Sequence, residues 1–223
     1  MLKKSVDTVA NAIAERKKPG QRFIVGIAGA PGAGKSTIAE AVCKTLNRAK
    51  ASCAAVLPMD GFHLDNAILK DREMLDVKGA PQTFDADGFA ALLNRVRPGD
   101  RDVIVPIFDR DLDVARAGGR LIGAAVEIVI VEGNYLLLDR PEWMQIARFI
   151  DLSVFLDVPM ATLEKRLIQR WLDHGLDIEA ATKRAQGNDI TNAKLVIGNS
   201  LPADIRLELT AGNNSSDKET RSC

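Results

Sequence analysis

Hydrophobic positions along the chain fall into short continuous runs separated by segments with helical spacing. Phe23 to Ala28 is an apolar run leading into glycine, and its length marks a buried strand. A glycine-rich turn follows, then Ser36 to Arg48 with Ile38, Ala41, Val42 and Leu46 on one helical face. Ser52 to Met59 is a second short run, closed by Asp60. Gly61 to Pro81 is polar and mixed, and Asp87 to Val96 predicts a short helix with Phe89, Leu92 and Leu93 inward. After a Pro98-Gly99 turn, Val103 to Pro106 predicts a short strand and Asp109 to Gly119 a charged loop. Ala125 to Val131 is the most strand-like run, ending at Glu132-Gly133, and Leu152 to Leu156 is another, ending at Asp157. Pro159 to His174 predicts a helix: Pro stands near its start, Leu163, Leu167 and Trp171 share a face, and Gly175 follows its end. Ile178 to Ala185 and Ala193 to Ile197 predict helices, and Ile205 to Leu209 a last strand.

Strands alternating with helices imply an α/β fold, a mostly parallel sheet covered by helices on both faces. The expectation is one domain over residues 1–210 and a polar, disordered tail over 211–223. The first residues carry Leu2, Val6, Val9 and Ile13 at helical spacing, without the continuous apolar stretch of a secretory signal.

Composition narrows the partners. The 223 residues carry 30 Lys plus Arg against 30 Asp plus Glu, so bulk charge gives no reason to expect nucleic acid or an anionic membrane. No run approaches the roughly 20 apolar residues needed for a membrane span. Cys43, Cys53 and Cys223 show no metal-ligand spacing and are expected as reduced thiols, Cys43 and Cys53 as small core residues, in a cytoplasmic protein.

The sharpest chemical signal is Gly29-Ala30-Pro31-Gly32-Ala33-Gly34-Lys35-Ser36, followed by Thr37. It matches the Walker A pattern G-x-x-x-x-G-K-[ST] at every position, with a strand before and a helix after, and so predicts a three-layer P-loop NTPase fold. Glycines let main-chain N–H groups curl around phosphate oxygens, and a helix N-terminus aims its positive end at the same anion. Lys35 adds a mobile charge for the β and γ phosphates, and the Ser36 hydroxyl is placed to ligate Mg²⁺. ATP and Mg²⁺ are thus the expected ligands.

Ligands of open α/β sheets sit at the carboxyl ends of strands, and two acids fall there, Asp60 and Glu132. One can help hold Mg²⁺; the other can accept a proton from an attacking hydroxyl. We assign Asp60 as the general base and Glu132 as the metal-side carboxylate or a substrate orienter. On sequence alone the two roles are interchangeable, so Ser36, Asp60 and Glu132 form the candidate metal set.

Gly29–Ser36, Pro58-Met59-Asp60-Gly61-Phe62-His63 and Val131-Glu132-Gly133, in this order, resemble the uridine kinase, pantothenate kinase and phosphoribulokinase superfamily over most of residues 22–210. The resemblance implies that Asp60 is the catalytic base. Lys78-Gly79-Ala80-Pro81, Thr83-Phe84-Asp85 and Pro106-Ile107-Phe108-Asp109 resemble acceptor-side segments, which implies substrate roles for Lys78, Asp85 and Asp109. The overall pattern, including Asn188-Asp189-x-x-Asn192, is most similar to a bacterial subgroup of sugar (fructose-transport-associated) or nucleoside kinases. Phe108-Asp109-Arg110 stands where pantothenate kinases carry Tyr-Ser-His, and the Tyr and His of uridine kinases have no clear counterparts. Both departures weigh against pantothenate and uridine as acceptors.

Arg166 and Arg170, spaced i,i+4, share one face of the Pro159–His174 helix. The family places lid arginines on such a helix, which implies catalytic roles for both beside Lys35 and a small helical lid around 163–190. Gly175 fits either a lid hinge or a helix C′ cap. His63 is a candidate for binding the acceptor or orienting Asp60. Arg110 and Arg116 are candidates for an anionic group on the acceptor or for solvated loop charge. Asn188 and Asn192 fit either the nucleotide-base side or a helix cap. The expected activity is transfer of the γ-phosphoryl group from ATP to a hydroxyl of a sugar, nucleoside or similar small molecule. The alternative is a nucleotide-dependent regulatory ATPase attached to a transport system. The Asn-Lys-x-Asp guanine signature is absent, which argues against GTP. A homodimer is expected by analogy with related kinases.

Overall fold

The computed structural model describes residues 2–209; the tail expected at 211–223 lies outside them. In chain order the elements are α1 (Leu2–Arg16), β1 (Phe23–Gly29), α2 (Lys35–Ala49), β2 (Ala54–Pro58), α3 (Asn66–Asp71), α4 (Ala86–Val96), β3 (Val103–Asp109) and β4 (Val114–Ile122). They continue with β5 (Ile128–Gly133), α5 (Pro141–Ala147), β6 (Leu152–Asp157), α6 (Met160–Asp173), α7 (Ile178–Arg184), α8 (Ile190–Asn199) and β7 (Ile205–Glu208). A 3-10 turn spans Met59–Phe62, directly after β2, and a π turn spans Ala185–Asp189, between α7 and α8.

Five strands pair in parallel in the order β2-β5-β1-β6-β7. Every residue of β1 and of β5 is buried, which is why both read as uninterrupted apolar runs rather than alternating ones. Successive β1 side chains feed opposite faces. Val25 and Ile27 join a core with α1, α2 and α6, whereas Ile24 and Ala28 join a core with α4 and α5. The sheet is thereby sandwiched between two helical layers.

Two features of α6 matter for the site. Leu163 and Leu167 are fully buried, so cutting either to Ala costs about 2–5 kcal/mol, and this face is not free to lift away. The C-terminus closes through Gly175 at φ +88°, with Gly175 N–H donating to Leu172 O and Leu176 N–H to Trp171 O. That is a Schellman cap, the second of the two readings open for Gly175.

The charged loop expected over 109–119 is instead mostly β4, which pairs antiparallel with β3 as a separate two-stranded ribbon. Its middle, Arg116–Arg120, is polar or small and exposed, so no buried period marked the strand; cross-strand pairing with β3 makes it. The strand expected at Val103–Pro106 runs on to Asp109 and joins this ribbon, not the parallel sheet. The mixed segment 61–81 contains α3, capped by the Asp65 carboxylate accepting from Ala67 N–H. A short helix without an expectation, α5, buries Trp143 and Ile146.

Candidate active site

The strand order brings three strand ends together. Glu132, on β5 between β2 and β1, lies in register with Ile27 of β1 and Pro58 of β2. It therefore stands between the strand that leads into the phosphate loop and the strand that leads to Asp60. Residues Gly29–Thr37 form the turn between β1 and the first turn of α2, where Gly32 (φ +78°) and Gly34 (φ +92°) adopt the left-handed backbone that closes the loop.

Lys35 is buried and folds back over its own loop, donating to Ala30 O at 3.0 Å and to the Asn134 side-chain oxygen at 2.6 Å. Burial lowers its pKa, opposed by the nearby Glu132 and Asp60. Ser36 donates to Glu132 Oε1 at 3.1 Å. Glu132 is only 6% exposed, and burial raises its pKa, with Lys35 pulling the other way.

Asp60 sits in the 3-10 turn after β2, and its Oδ2 accepts from Arg110 Nη2 at 2.9 Å. Arg110 arrives from the end of the β3–β4 ribbon and is 65% exposed. Contact between ribbon and turn is close: a Cβ on Gly61 would lie 2.7 Å from Pro106 O. His63 does not touch the Asp60 carboxylate. Its Nδ1 lies 2.8 Å from the Asp60 main-chain oxygen, which can only accept, so Nδ1 carries the proton. The ring lies against Phe84 and Phe108, and burial lowers its pKa.

Other acceptor-side candidates are held by neighbours. Lys78 donates to Asn66 Oδ1 and Asp113 O, both at 2.7 Å, and pairs with the Asp113 carboxylate. Asp109 pairs with Arg116 at 3.2 Å and accepts from Leu112 N–H. Asp85 caps α4, its Oδ1 accepting from Gly88 N–H at 2.8 Å.

From α6, Arg166 donates to Gly32 O at 3.1 Å, and Leu167 packs at Gly32, where a Cβ would meet it at 3.3 Å. Helix α6 thus rests on the phosphate loop. Arg170 Nη2 donates to Asp189 Oδ2 at 2.7 Å. Asn188 and Asn192 bond to each other, and Asn188 to the main chain of the 78–83 loop. Asn188 donates to Lys78 O at 2.8 Å and accepts from Asn192 at 2.9 Å, so the pair joins α8 and the π turn to the loop that carries Lys78.

Two contributors were missed as individual residues. Asn134 lies two residues past Glu132, and its place at a strand end was the available signal. Asp189 could not be read as the partner of Arg170, because their contact depends on the packing of α6 against the π turn.

Among the described residues, no group of three or more His, Cys, Asp or Glu side chains is arranged to hold a metal alone. Magnesium demands little from protein here: it keeps waters and takes phosphate oxygens, with one or two side-chain oxygens completing its shell. Ser36 Oγ and the buried Glu132 carboxylate beside the loop are hard oxygen donors of that kind. The fit to Mg²⁺ with a triphosphate is therefore good.

A parallel sheet with a Walker A loop at the end of β1 and a helix laid over that loop defines the P-loop kinase class. The chain belongs to the phosphoribulokinase/uridine kinase family, whose model matches residues 24–193. It is 33% identical over 215 residues to a Schizosaccharomyces pombe protein named "Putative uridine kinase C227.14", covering 92% of this chain and 90% of that protein. It is 35% identical over 194 residues to "Uncharacterized protein YggC" of Escherichia coli K12, covering 86% and 80%. A solved structure from Silicibacter sp. TM1040, described as a "putative fructose transport system kinase", superposes with a TM-score of 0.86 at 46% identity over 91% of this chain and 98% of that one. No helix among the described residues is long and apolar enough to cross a membrane.

Proposed function

We propose that the protein transfers the γ-phosphoryl group of Mg²⁺·ATP to a hydroxyl of a sugar, nucleoside or similar small metabolite. The observation that carries this reading is the convergence of Lys35, Ser36, Glu132 and Asp60 at the carboxyl ends of the three adjacent strands β1, β5 and β2.

In this reading the Gly29–Thr37 main chain binds the phosphates and Lys35 leaves Ala30 O and Asn134 for their oxygens. Ser36 and Glu132 would hold a magnesium ion, which would supply charge neutralisation at the phosphates when bound. Asp60 accepts the proton of the acceptor hydroxyl as its oxygen attacks γ-phosphorus; the P–O bond to ADP breaks and ADP leaves with the displaced pair. Arg110 engages Oδ2, which leaves the other carboxylate oxygen for the hydroxyl. Arg166 and Arg170 stabilise charge that develops on the transferred group. His63, Lys78, Asp85, Asp109 and Arg110 shape the acceptor side. A sugar or nucleoside suits a wall in which arginines and carboxylates alternate beside the His63, Phe84 and Phe108 rings, because planar polar groups meet hydroxyls and rings cover the apolar face.

The test is ADP release against a panel of sugars, nucleosides and other primary alcohols. ADP formation that depends on one alcohol class supports a kinase. Formation at full rate with no alcohol present supports the regulatory ATPase instead.

A further inference from the structure

The π turn at Ala185–Asp189 carries two neighbouring side chains that point to different sides of the site. Asp189 faces the lid: its Oδ2 accepts from both Arg170 Nη2 and Trp171 Nε1, each at 2.7 Å. Asn188 faces the acceptor-side loop, donating to Lys78 O at 2.8 Å, and is itself held by Asn192, which is 4% exposed. The loop end of this bridge is also fixed: Gly79 O accepts from the buried Tyr135 hydroxyl, and Gly79 N–H donates to Thr83. One short backbone segment therefore joins a lid arginine to the loop that carries Lys78. A π turn inserted between two α-helices is a rare geometry, and its main effect is to change the direction of the side chains it carries.

We infer that Asn188 and Asp189 are positioning residues, and that the π turn transmits nucleotide binding from Arg170 to the Lys78–Thr83 loop. This rests on the proposed role of Arg170 at the triphosphate. Asp189 Oδ2 fixes the Arg170 guanidinium through a 2.7 Å bond. When phosphate oxygens draw on Arg170, the Asp189 bonds to Arg170 and Trp171 rearrange together, because both use one oxygen. Asn188, adjoining Asp189 in the chain, moves the Lys78 carbonyl with it. The acceptor side thus tightens when the nucleotide side is filled.

The chain reports on this joint directly, because it has only two tryptophans. Trp143 is fully buried with an unbonded indole N–H, so Trp143→Phe removes an unsatisfied donor and leaves Trp171 as the single emitter. Trp171 lies against both Arg170 and Arg184, at 5.3 and 5.2 Å from its ring, so loss of the Asp189 bond changes its surroundings. The experiment titrates Mg²⁺·ATP into the Trp143→Phe protein. Calorimetry measures binding, Trp171 emission follows the lid, and hydrogen–deuterium exchange follows residues 78–84. The expected result is saturable binding with a parallel change in Trp171 emission and slower exchange over 78–84. Asn188→Ala should keep binding and the emission change but lose the slowed exchange. Asp189→Asn, which preserves shape and removes charge, should weaken binding by about tenfold and lose both responses. Binding with unchanged Trp171 emission, or equal protection of 78–84 in Asn188→Ala, overturns the inference. Absence of any binding in the parent protein instead overturns the nucleotide site itself.

Discussion

The two halves of the site are built differently. Around the Walker A loop, Glu132 is buried near the end of β5 and Lys35 is buried at the start of α2, beside strands that are buried throughout. On the Asp60 side, Asp60, Arg110, Asp109, Arg116 and Lys78 are ion-paired side chains, the two arginines exposed, brought together by a ribbon outside the main sheet. The first half is rigid because the core must be broken to move it. The second is held by half-exposed ion pairs of Arg110 and Arg116, worth roughly 0–1 kcal/mol each, by the more buried Lys78 and by the close fit of Gly61 under Pro106. Such a division ties the Walker A side to the core and the Asp60 side to the ribbon.

Substitutions that separate the halves sharpen this contrast, and the largest effect belongs to Asp60. Asp60→Asn should lower kcat about 10²–10⁴-fold while leaving Mg²⁺·ATP affinity within roughly a factor of two, read by steady-state kinetics beside calorimetry. A comparable loss of ATP affinity would place Asp60 on the metal instead.

Glu132→Gln should cut turnover nearly as much and yet raise the melting temperature at pH 7. Burial raises the Glu132 pKa above its ordinary value of 4.5. The stability tied to this group is therefore complete below about the ordinary value and is lost as pH rises through the higher folded one. Glutamine suffers no such loss, so the gap in melting temperature should be widest near neutrality and close as pH falls below the ordinary carboxylate range. A destabilised variant at pH 7 would show that pairing with Lys35 outweighs burial.

Gly61→Ala probes the junction between halves. The added Cβ meets Pro106 O, and relieving such overpacking costs about 1–3 kcal/mol by shifting the ribbon. The Michaelis constant for the acceptor should rise on the order of tenfold with little change for ATP. The smallest effect is expected for Arg110→Ala: a stability change below about 1 kcal/mol by denaturant titration, since the arginine end of this pair is exposed, with any kinetic change confined to the acceptor and softened by salt.

The same division decided what the sequence revealed. The parallel strands were legible because burial on both faces demands uninterrupted apolar runs such as Phe23–Ala28 and Ile128–Val131. The phosphate loop was legible because its glycines, Lys35 and Ser36 must occur at one spacing. The ribbon strand β4 was not, because Val114–Ile122 buries little and its glycines and arginines look like loop. Nor was the joint at Asn188 and Asp189: its partners, Arg170 and Lys78, are set by how α6 and the loop carrying Lys78 pack against the π turn, and no local period records that.

The most direct test of the central claim follows the fate of a labelled γ-phosphoryl group in Mg²⁺·ATP incubated with the alcohol panel. The prediction is label in one phosphorylated alcohol, with Asp60→Asn reducing that transfer at least about a hundredfold. Label that appears only as inorganic phosphate, at a rate indifferent to every alcohol and to Asp60→Asn, contradicts it.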